Sequence, residues 1–304
     1  MIRHAPSIGL GLGLSLRGSG GSGGVGFRGL LDQYGGAAAA YSLRALSSGW
    51  LAGDVVEVRR SSFGGGDAQD TFTASQITSG AMLAWVTEFS GTADGFVSTW
   101  YDQSGNANNA TQATTTSQPK IVSAGALVTG GLDFDGVDDG LGLTGLSLTS
   151  TGWSSFVKWN ADSFATDMAI LRCRPLGIVP SVAGIIPMET TAAQFSPNII
   201  QDDSVEAITV NAVAFGTLST ATDYLSTTIF TSSAVDLWTN SSQETYTNAL
   251  IGSGASIPIS TVGVTQIYIG TADGSVRPFN GKICEVILYD SDQTANRAAI
   301  EALI

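Results

Sequence analysis

The sequence is poor in charged side chains. Only 13% of its 304 residues are Asp, Glu, Lys or Arg, about half the share typical of soluble domains. Acidic residues outnumber basic ones by 26 to 13, which gives a formal net charge of −13 at pH 7. A surface of this sign repels the phosphates of nucleic acids. We therefore exclude nucleic acid as a partner and expect a neutral, polar surface.

Histidine, cysteine and long apolar runs are also scarce. His4 is the only histidine, which excludes Ser-His-Asp and Cys-His catalytic arrangements and imidazole-based metal sites. Cys173 and Cys284 are the only cysteines, and two isolated thiols are favoured over a single disulfide. No run of about 18 apolar residues is present, so no membrane-spanning segment is predicted.

The first 36 residues differ in composition from the rest. Residues 8–14 alternate glycine with large apolar residues, and residues 18–24 are glycine and serine alone. Such a segment has too few side chains to form a core of its own. We therefore divide the chain into a Gly-rich N-terminal arm or linker, residues 1–36, and a folded domain, residues 37–304.

From residue 37 onward, short apolar runs alternate with Gly, Asn, Asp and Ser, a pattern typical of antiparallel β-structure. Strands are predicted at residues 56–59, 96–101, 156–159, 208–215, 235–238, 267–269 and 284–289, on their β-branched and aromatic content. Helices are predicted only at residues 75–88 and 293–303. The fold class is therefore all-β, a two-sheet antiparallel jelly-roll sandwich with a short C-terminal helix.

An ordered set of motifs carries a resemblance to known proteins. The set is Ala40-Tyr41-Ser42-Leu43-Arg44, residues 56–62, Thr99-Trp100-Tyr101-Asp102-Gln103-Ser104-Gly105-Asn106, residues 118–122 and Leu132-Asp133-Phe134-Asp135-Gly136-Val137-Asp138-Asp139. Together these segments resemble the catalytic domain of the α-L-arabinofuranosidase B family, a concanavalin A-like (laminin G-like) β-sandwich. They also resemble sandwich modules of bacteriophage virion proteins. The resemblance covers residues 37–304.

The resemblance implies a pair of catalytic carboxyl groups, of which the sequence retains one. The acid/base of the family corresponds to Asp273, while the segment that corresponds to the nucleophilic Glu, residues 153–157, has Ser where Glu is expected. The cysteine-rich stretch of the family is replaced by residues 90–95, which contain no Cys. Without this Glu we predict that catalysis is lost, and we assign no catalytic residue. A Glu close to Asp273 would restore the pair; the candidates are Glu88, Glu206 and Glu285.

Two candidate binding sites follow. A sugar subsite is predicted at Tyr101, Asp102, Gln103, Asn106 and Asp273, because sugar hydroxyls pair with amides and carboxylates beside an aromatic face. A Ca²⁺ site is predicted at Asp133, Asp135 and Asp138, which with Asp139 form an acidic group able to supply oxygen ligands. Both groups also have a purely structural interpretation, as residues that hold turns. No other cofactor is predicted.

The sequence favours binding and assembly over catalysis. We expect a non-enzymatic phage virion surface protein, a tail fibre, tail-tip or capsid decoration subunit. Its arm would dock on other virion proteins, its sandwich would face outward toward a host surface glycan, and by analogy it would form a homo-oligomer, a trimer. Its expected location is the virion surface, with secretion as the alternative. Two other functions stay open: a lectin-like adhesin, and an arabinofuranosidase-like glycoside hydrolase acting on plant-type or bacterial surface polysaccharide.

Overall fold

The structure is a computed structural model. It describes residues 26–61, 68–148, 152–164, 168–175, 184–191, 194–201, 208–209, 218–231, 235–243, 264–271 and 276–304. Nineteen strands lie in these ranges: β1 Ala37–Ser42, β2 Asp54–Arg60, β3 Ala68–Thr73, β4 Gly95–Trp100, β5 Ala110–Thr111, β6 Lys120–Ser123, β7 Ala126–Leu127, β8 Leu132–Asp135, β9 Leu141–Leu148, β10 Gly152–Ala161, β11 Met168–Pro175, β12 Gly184–Thr191, β13 Gln194–Gln201, β14 Ile208–Thr209, β15 Asp223–Thr231, β16 Val235–Thr239, β17 Ser242–Gln243, β18 Val264–Ile269 and β19 Asn280–Tyr289.

Helices are few and short. They are α1 Leu30–Gln33, α2 Ala74–Thr78, α3 Ala81–Val86 and α4 Arg297–Glu301. The helix predicted at residues 75–88 is divided in two, because Gly80 between α2 and α3 adopts a left-handed conformation with φ +80°. Thr73 caps α2: its hydroxyl accepts a hydrogen bond from the backbone N–H of Gln76. No helix in the described ranges is long and apolar enough to cross a membrane.

All strand pairs among the described residues are antiparallel. One run of paired strands is β16-β15-β10-β19-β1, and the first residues of β19 also pair with β8. From β8 the pairing continues through β6, β4 and β2 to β3. A second run leaves β4 through β5 and continues through β9, β18 and β11 to β12.

Strand β10 shows how the core forms. Trp153, Val157 and Trp159 share one face of this strand and lie in the main hydrophobic cluster. Because side chains alternate along a strand, Phe156 points to the opposite face, where a second cluster contains Leu30 of α1 and Ile300 of α4. Both faces of the central strands are therefore covered, the inner face by strands and the outer face by the two terminal helices.

These observations confirm the all-β sandwich with a C-terminal helix, while the jelly-roll connectivity stays a prediction. The strands expected at residues 56–59, 96–101, 156–159 and 284–289 lie in β2, β4, β10 and β19. The strand expected at residues 208–215 lies mostly outside the described residues. So do residues 1–25 of the predicted arm, whose docking role stays a prediction.

Candidate functional site

The Tyr101-to-Asn106 motif begins where β4 ends. Trp100, the last residue of β4, is fully buried and its ring centroid lies 5.7 Å from that of Tyr41. Asp102 follows and is 1% exposed. Its carboxylate accepts hydrogen bonds from the backbone N–H groups of Ala40 at 2.8 Å and Asn108 at 3.0 Å. Asp102 therefore faces inward and holds the loop against β1.

Gln103 also points into the protein. It is 3% exposed, its amide oxygen accepts from the backbone N–H of Leu46 at 2.9 Å, and its amide nitrogen donates to the carbonyls of Ser42 and Arg44. Tyr101 is half-buried, and desolvation, with the negative charges of Glu57 and Asp54, raises its pKa. Of the predicted sugar-binding residues in this loop, only Asn106 is well exposed.

Asn106 lines a cleft, which we call the amide cleft. The cleft has a volume of about 530 Å³, and its lining residues are Gly36, Ala37, Ala38, Ser104, Asn106, Asn108, Gly145, Leu146 and Asp290. Most of these residues are polar or lack a large side chain, and Asp290 is the only charged one among them. Three separate segments and the end of β19 therefore converge on one polar cavity.

The amide nitrogens in this cleft are engaged with the backbone. Asn106 Nδ2 donates to the carbonyls of Ala37 at 3.0 Å and Ala38 at 3.1 Å. Asn108 Nδ2 donates to the Ala38 carbonyl at 2.8 Å. Within the described part of the chain, neither amide oxygen accepts a hydrogen bond. The two side chains are thus fixed, with their acceptor atoms left over.

The acidic loop after β8 forms a second candidate site. Side-chain oxygens of Asp135, Asp138 and Asp139 all lie within 4.8 Å of one another. Asp133, predicted to belong to this group, is instead 3.6 Å from the ammonium of Lys282. The structure therefore brings together two of the three predicted Ca²⁺ ligands and adds Asp139. Binding of Ca²⁺ stays a prediction.

Asp139 differs from its neighbours in burial, because it is only 4% exposed. Desolvation, followed by the negative charge of Asp135, raises its pKa to about 7. Its carboxylate accepts a hydrogen bond from the backbone N–H of Asp135 at 3.0 Å, while Asp138 accepts one from the Ser117 hydroxyl at 2.9 Å. The loop thus holds a carboxyl group that carries a proton near neutral pH beside two further carboxyl groups.

The position of the expected nucleophile contains no carboxyl group. Ser154 and Ser155 of β10 are both fully buried, and the Ser154 hydroxyl donates to the carbonyl of Ser291. Asp273 and Glu206 lie outside the described residues. Two of the candidate Glu residues are in ion pairs. Glu88 pairs with Arg60 and Glu285 with Arg44, each at 2.8 Å.

Sequence reasoning found part of these sites. It named Asn106 and the acidic group, but it missed Ser104, Asn108 and Asp290 as cleft residues and did not single out Asp139. Asp290 gives no local signal, because it reaches the cleft only through the pairing of β1 with β19. Asp139 could have been found as the acid next to the buried start of β9, because burial desolvates a carboxyl group.

No family model matches the sequence, and no curated protein matches it either. Solved structures do match. An α-L-arabinofuranosidase of family GH54, a variant soaked with 4-nitrophenyl α-L-arabinofuranoside, matches with a TM-score of 0.55 and 15% identity over 90% of this chain and 64% of that chain. The same kind of enzyme soaked with a cyclic sulfate inhibitor gives a TM-score of 0.51 at 16% identity, with the same coverage.

A sialidase of Trypanosoma rangeli also matches, with a TM-score of 0.47 and 14% identity over 68% of this chain and 30% of that chain. The chain therefore spans less than two thirds of the length of the arabinofuranosidases and under a third of the sialidase. At these identities the comparison with the arabinofuranosidases shows the fold alone, a β-sandwich.

The comparison corrects the functional prediction. The sequence favoured a non-enzymatic virion surface protein, but the matching arabinofuranosidase structures named above are glycosidases, and the virion context receives no support. The prediction of no catalysis is contradicted by the same likeness to an α-L-arabinofuranosidase. It rested on two local departures of sequence, Ser154 and Ser155 in place of Glu and the missing cysteine-rich stretch, which do not decide the backbone fold that the comparison detects. The oligomeric state and the partners of the arm stay untested.

Proposed function

We propose that the chain is a glycoside hydrolase of the arabinofuranosidase-like kind that cleaves glycosidic bonds of a polysaccharide. The observation that carries the proposal is the proximity of Asp139, with its pKa near 7, to the carboxyl group of Asp135. The likeness of the sandwich to an α-L-arabinofuranosidase supports the choice of substrate class.

Glycosidic hydrolysis normally needs two carboxyl groups with different protonation states. One donates a proton to the leaving oxygen, and the other attacks the anomeric carbon or activates water. Asp139 fits the first role, because burial keeps about half of its molecules protonated at pH 7. Asp135 is exposed at the same loop and fits the second.

The short separation favours a double displacement. Carboxyl groups about 5 to 5.5 Å apart are typical of retaining enzymes, and the oxygens of Asp135 and Asp139 lie within 4.8 Å. In the first step, the Asp139 proton moves to the glycosidic oxygen, the C–O bond breaks and Asp135 forms a bond to the anomeric carbon. In the second, Asp139 takes a proton from water, which displaces Asp135 and releases the sugar.

The test is hydrolysis of 4-nitrophenyl α-L-arabinofuranoside and of arabinoxylan by the purified chain. We expect turnover that Asp139→Asn lowers by at least about a hundredfold, the usual contribution of a general acid. Asp70→Asn is the control, since Asp70 is exposed on β3, which pairs with β2, and this variant should keep activity. The proposal fails if no sugar is released, or if Asp139→Asn is as active as the parent.

Calcium is the competing role for the same loop, and it gives a different result. A bound divalent cation would keep all three carboxyl groups ionised. Ca²⁺ would then raise the melting temperature of the parent but not of Asp139→Asn. Removal of Ca²⁺ with a chelator would lower the melting temperature of the parent again. That outcome, in a chain without hydrolytic activity, would replace the acid role of Asp139 by a structural metal site.

A further inference from the structure

Strand β1 lies at the edge of its run of strands. Among the described residues it pairs with β19 alone, and it ends the run β16-β15-β10-β19-β1. Its sequence, Ala-Ala-Ala-Ala-Tyr-Ser, contains no charged residue and no proline. Natural sheets often place such residues at an edge, because free N–H and C=O groups on an uncharged edge pair readily with another chain. The protection of this edge therefore has to come from another part of the fold.

The loop that follows β4, residues 102–108, supplies this protection, and we call it the edge loop. It donates to the carbonyls of every second residue of β1, namely Ala38, Ala40 and Ser42. The donors, in the same order, are the amide nitrogens of Asn106 and Asn108, the backbone N–H of Gln103 and the amide nitrogen of Gln103, at 2.8 to 3.1 Å. Residues two apart along a strand share an edge, so these are the carbonyls that a neighbouring strand would use.

Asp102 adds the acceptor that a partner strand would provide. Its carboxylate accepts from the backbone N–H of Ala40 at 2.8 Å, while the Ala40 carbonyl accepts from the N–H of Gln103 at 2.8 Å. In an antiparallel ladder a residue exchanges both backbone groups with its partner in the same way. The Asp102 carboxylate also accepts from the N–H groups of Ser104 and Asn108. One side chain therefore both replaces a strand carbonyl and holds the edge loop in shape.

The edge loop ends the sheet and does not extend it. Gly105 and Ala107 have φ of +93° and +58°, a left-handed conformation that interrupts extended backbone. Residues 105–107 are exposed, whereas Ala40 and Ser42 of β1 are buried. The loop thus covers the backbone groups of β1 without presenting a new row of strand donors and acceptors to solvent.

We propose that the edge of β1 is a pairing surface for the β1 strand of a second copy of this chain, and that the edge loop keeps this surface closed. Two copies related by a twofold axis present the same edge to each other in antiparallel orientation. An edge without charges does not repel its own copy, and β1 carries none. The inference goes beyond the proposed function and does not depend on hydrolysis.

The experiment releases the edge loop and compares the result with an equally disruptive change elsewhere. Asp102→Ala removes the acceptor that holds the loop on β1. Gly270→Ala is the matched control, because its Cβ would clash with Phe134 in the core while the edge loop stays in place. Sedimentation velocity at several protein concentrations gives the mass, and circular dichroism shows that both variants are folded. We expect Asp102→Ala to gain a species of about twice the parent mass, and Gly270→Ala to keep the parent mass.

A charge beside β1 tests where the two copies meet. Gly36→Lys places an ammonium group directly before β1, and Gly80→Lys places the same side chain between α2 and α3. Both glycines have φ +80° and no atom within 4 Å of a Cβ built on them. A lysine at a sheet edge opposes pairing with another chain. Combined with Asp102→Ala, Gly36→Lys should abolish the species of doubled mass, and Gly80→Lys should leave it.

A milder pair of variants covers the case that Asp102→Ala does not fold. Asn106→Ala with Asn108→Ala removes the amide donors to β1 and keeps the carboxylate of Asp102 in place. Its control is Asn160→Ala with Asn296→Ala, because those amide nitrogens donate to side chains away from β1. We expect the doubled mass in the first pair alone.

Each other outcome overturns the inference. The parent mass in the folded loop variants would show that the edge loop does not keep two copies apart. An equal gain of mass in Gly270→Ala would assign the association to destabilisation in general. A doubled mass that persists with Gly36→Lys places the contact away from β1, and a species larger than two copies excludes twofold pairing. None of these results bears on hydrolysis, so the proposed function stands or fails separately.

Discussion

The carboxylate of Asp102 accepts a hydrogen bond from the backbone N–H of Ala40 at 2.8 Å. The same carboxylate accepts from the N–H and hydroxyl groups of Ser104, at 2.8 and 2.7 Å, and from the N–H of Asn108 at 3.0 Å. One buried side chain thus fixes the loop after β4 to β1. Both segments line the amide cleft, so its shape depends on Asp102 although Asp102 is not one of its lining residues.

Asp102→Ala should destabilise the protein strongly. The substitution leaves the buried N–H group of Ala40 and the half-buried N–H groups of Ser104 and Asn108 without their acceptor, and loss of one acceptor of several such bonds costs about 3 kcal/mol or more. The measurement is the free energy of unfolding from a urea titration.

Asp70→Ala is the control for this prediction. Asp70 is exposed on β3, and its carboxylate accepts a hydrogen bond from the backbone N–H of the adjacent Thr71. Its loss should change the free energy of unfolding by no more than about 0.5 kcal/mol. Equal effects of the two substitutions would contradict the role assigned to Asp102.

The strands could be predicted from the sequence, but the orientation of the Tyr101-to-Asn106 motif could not. Residues 96–101 and 284–289 are rich in β-branched and aromatic side chains, and they lie in or directly after β4 and in β19. In contrast, Asp102 and Gln103 stand just past a strand end, where a polar side chain can turn outward to solvent or inward to backbone donors. Only the tertiary contact with β1 decides for the inward direction.

The cleft could not be predicted for a related reason. Its polar lining includes residues 106 and 108 and residue 290, and the pairing of Tyr289 with Ala37 brings these together. Nothing in the local sequence states which strands are neighbours in a sandwich. The acidic loop was easier, since its carboxyl groups are adjacent in sequence, but the raised pKa of Asp139 depends on burial that only the fold supplies.

Asp139 should make stability depend on pH. Its pKa rises from an ordinary value of 3.8 when unfolded to about 7 when folded. A carboxyl group with a raised folded pKa binds its proton more tightly in the native state, so stability is highest below the unfolded pKa and falls as pH rises through the folded one. We expect the contribution of Asp139 to the free energy of unfolding to fall between pH about 4 and about 7.

Asp139→Asn isolates that contribution, because the amide can still accept from the backbone N–H of Asp135 but cannot ionise. Relative to the parent, the variant should gain melting temperature at pH about 8 and show little difference at pH about 4. Thermal unfolding at several pH values measures the difference in melting temperature between the variant and the parent. A difference that is constant with pH would show that Asp139 has an ordinary pKa.

Gly270 should not tolerate any side chain. Its φ is +80°, and a Cβ built on it would lie 2.2 Å from the ring of Phe134, which is fully buried. Gly270→Ala therefore adds a core clash to the left-handed strain and should cost about 3 kcal/mol or more. Gly80→Ala has the same φ of +80° with no atom within 4 Å, so it should cost only the strain, about 1 kcal/mol. Similar unfolding free energies for both variants would exclude the clash.

The two thiols should stay reduced and protected in the folded protein. Cys173 and Cys284 are both free, and Cys173 is fully buried in β11. Desolvation raises the pKa of both thiols, and the charge of Glu285 adds to the effect at Cys284, so little reactive thiolate forms. Ellman's reagent should therefore react slowly with the native chain. Once the chain is unfolded in urea, the reagent should react with both thiols. Cys284→Ser should leave a native chain with no detectable reaction, whereas a fast native reaction in that variant would place Cys173 at the surface.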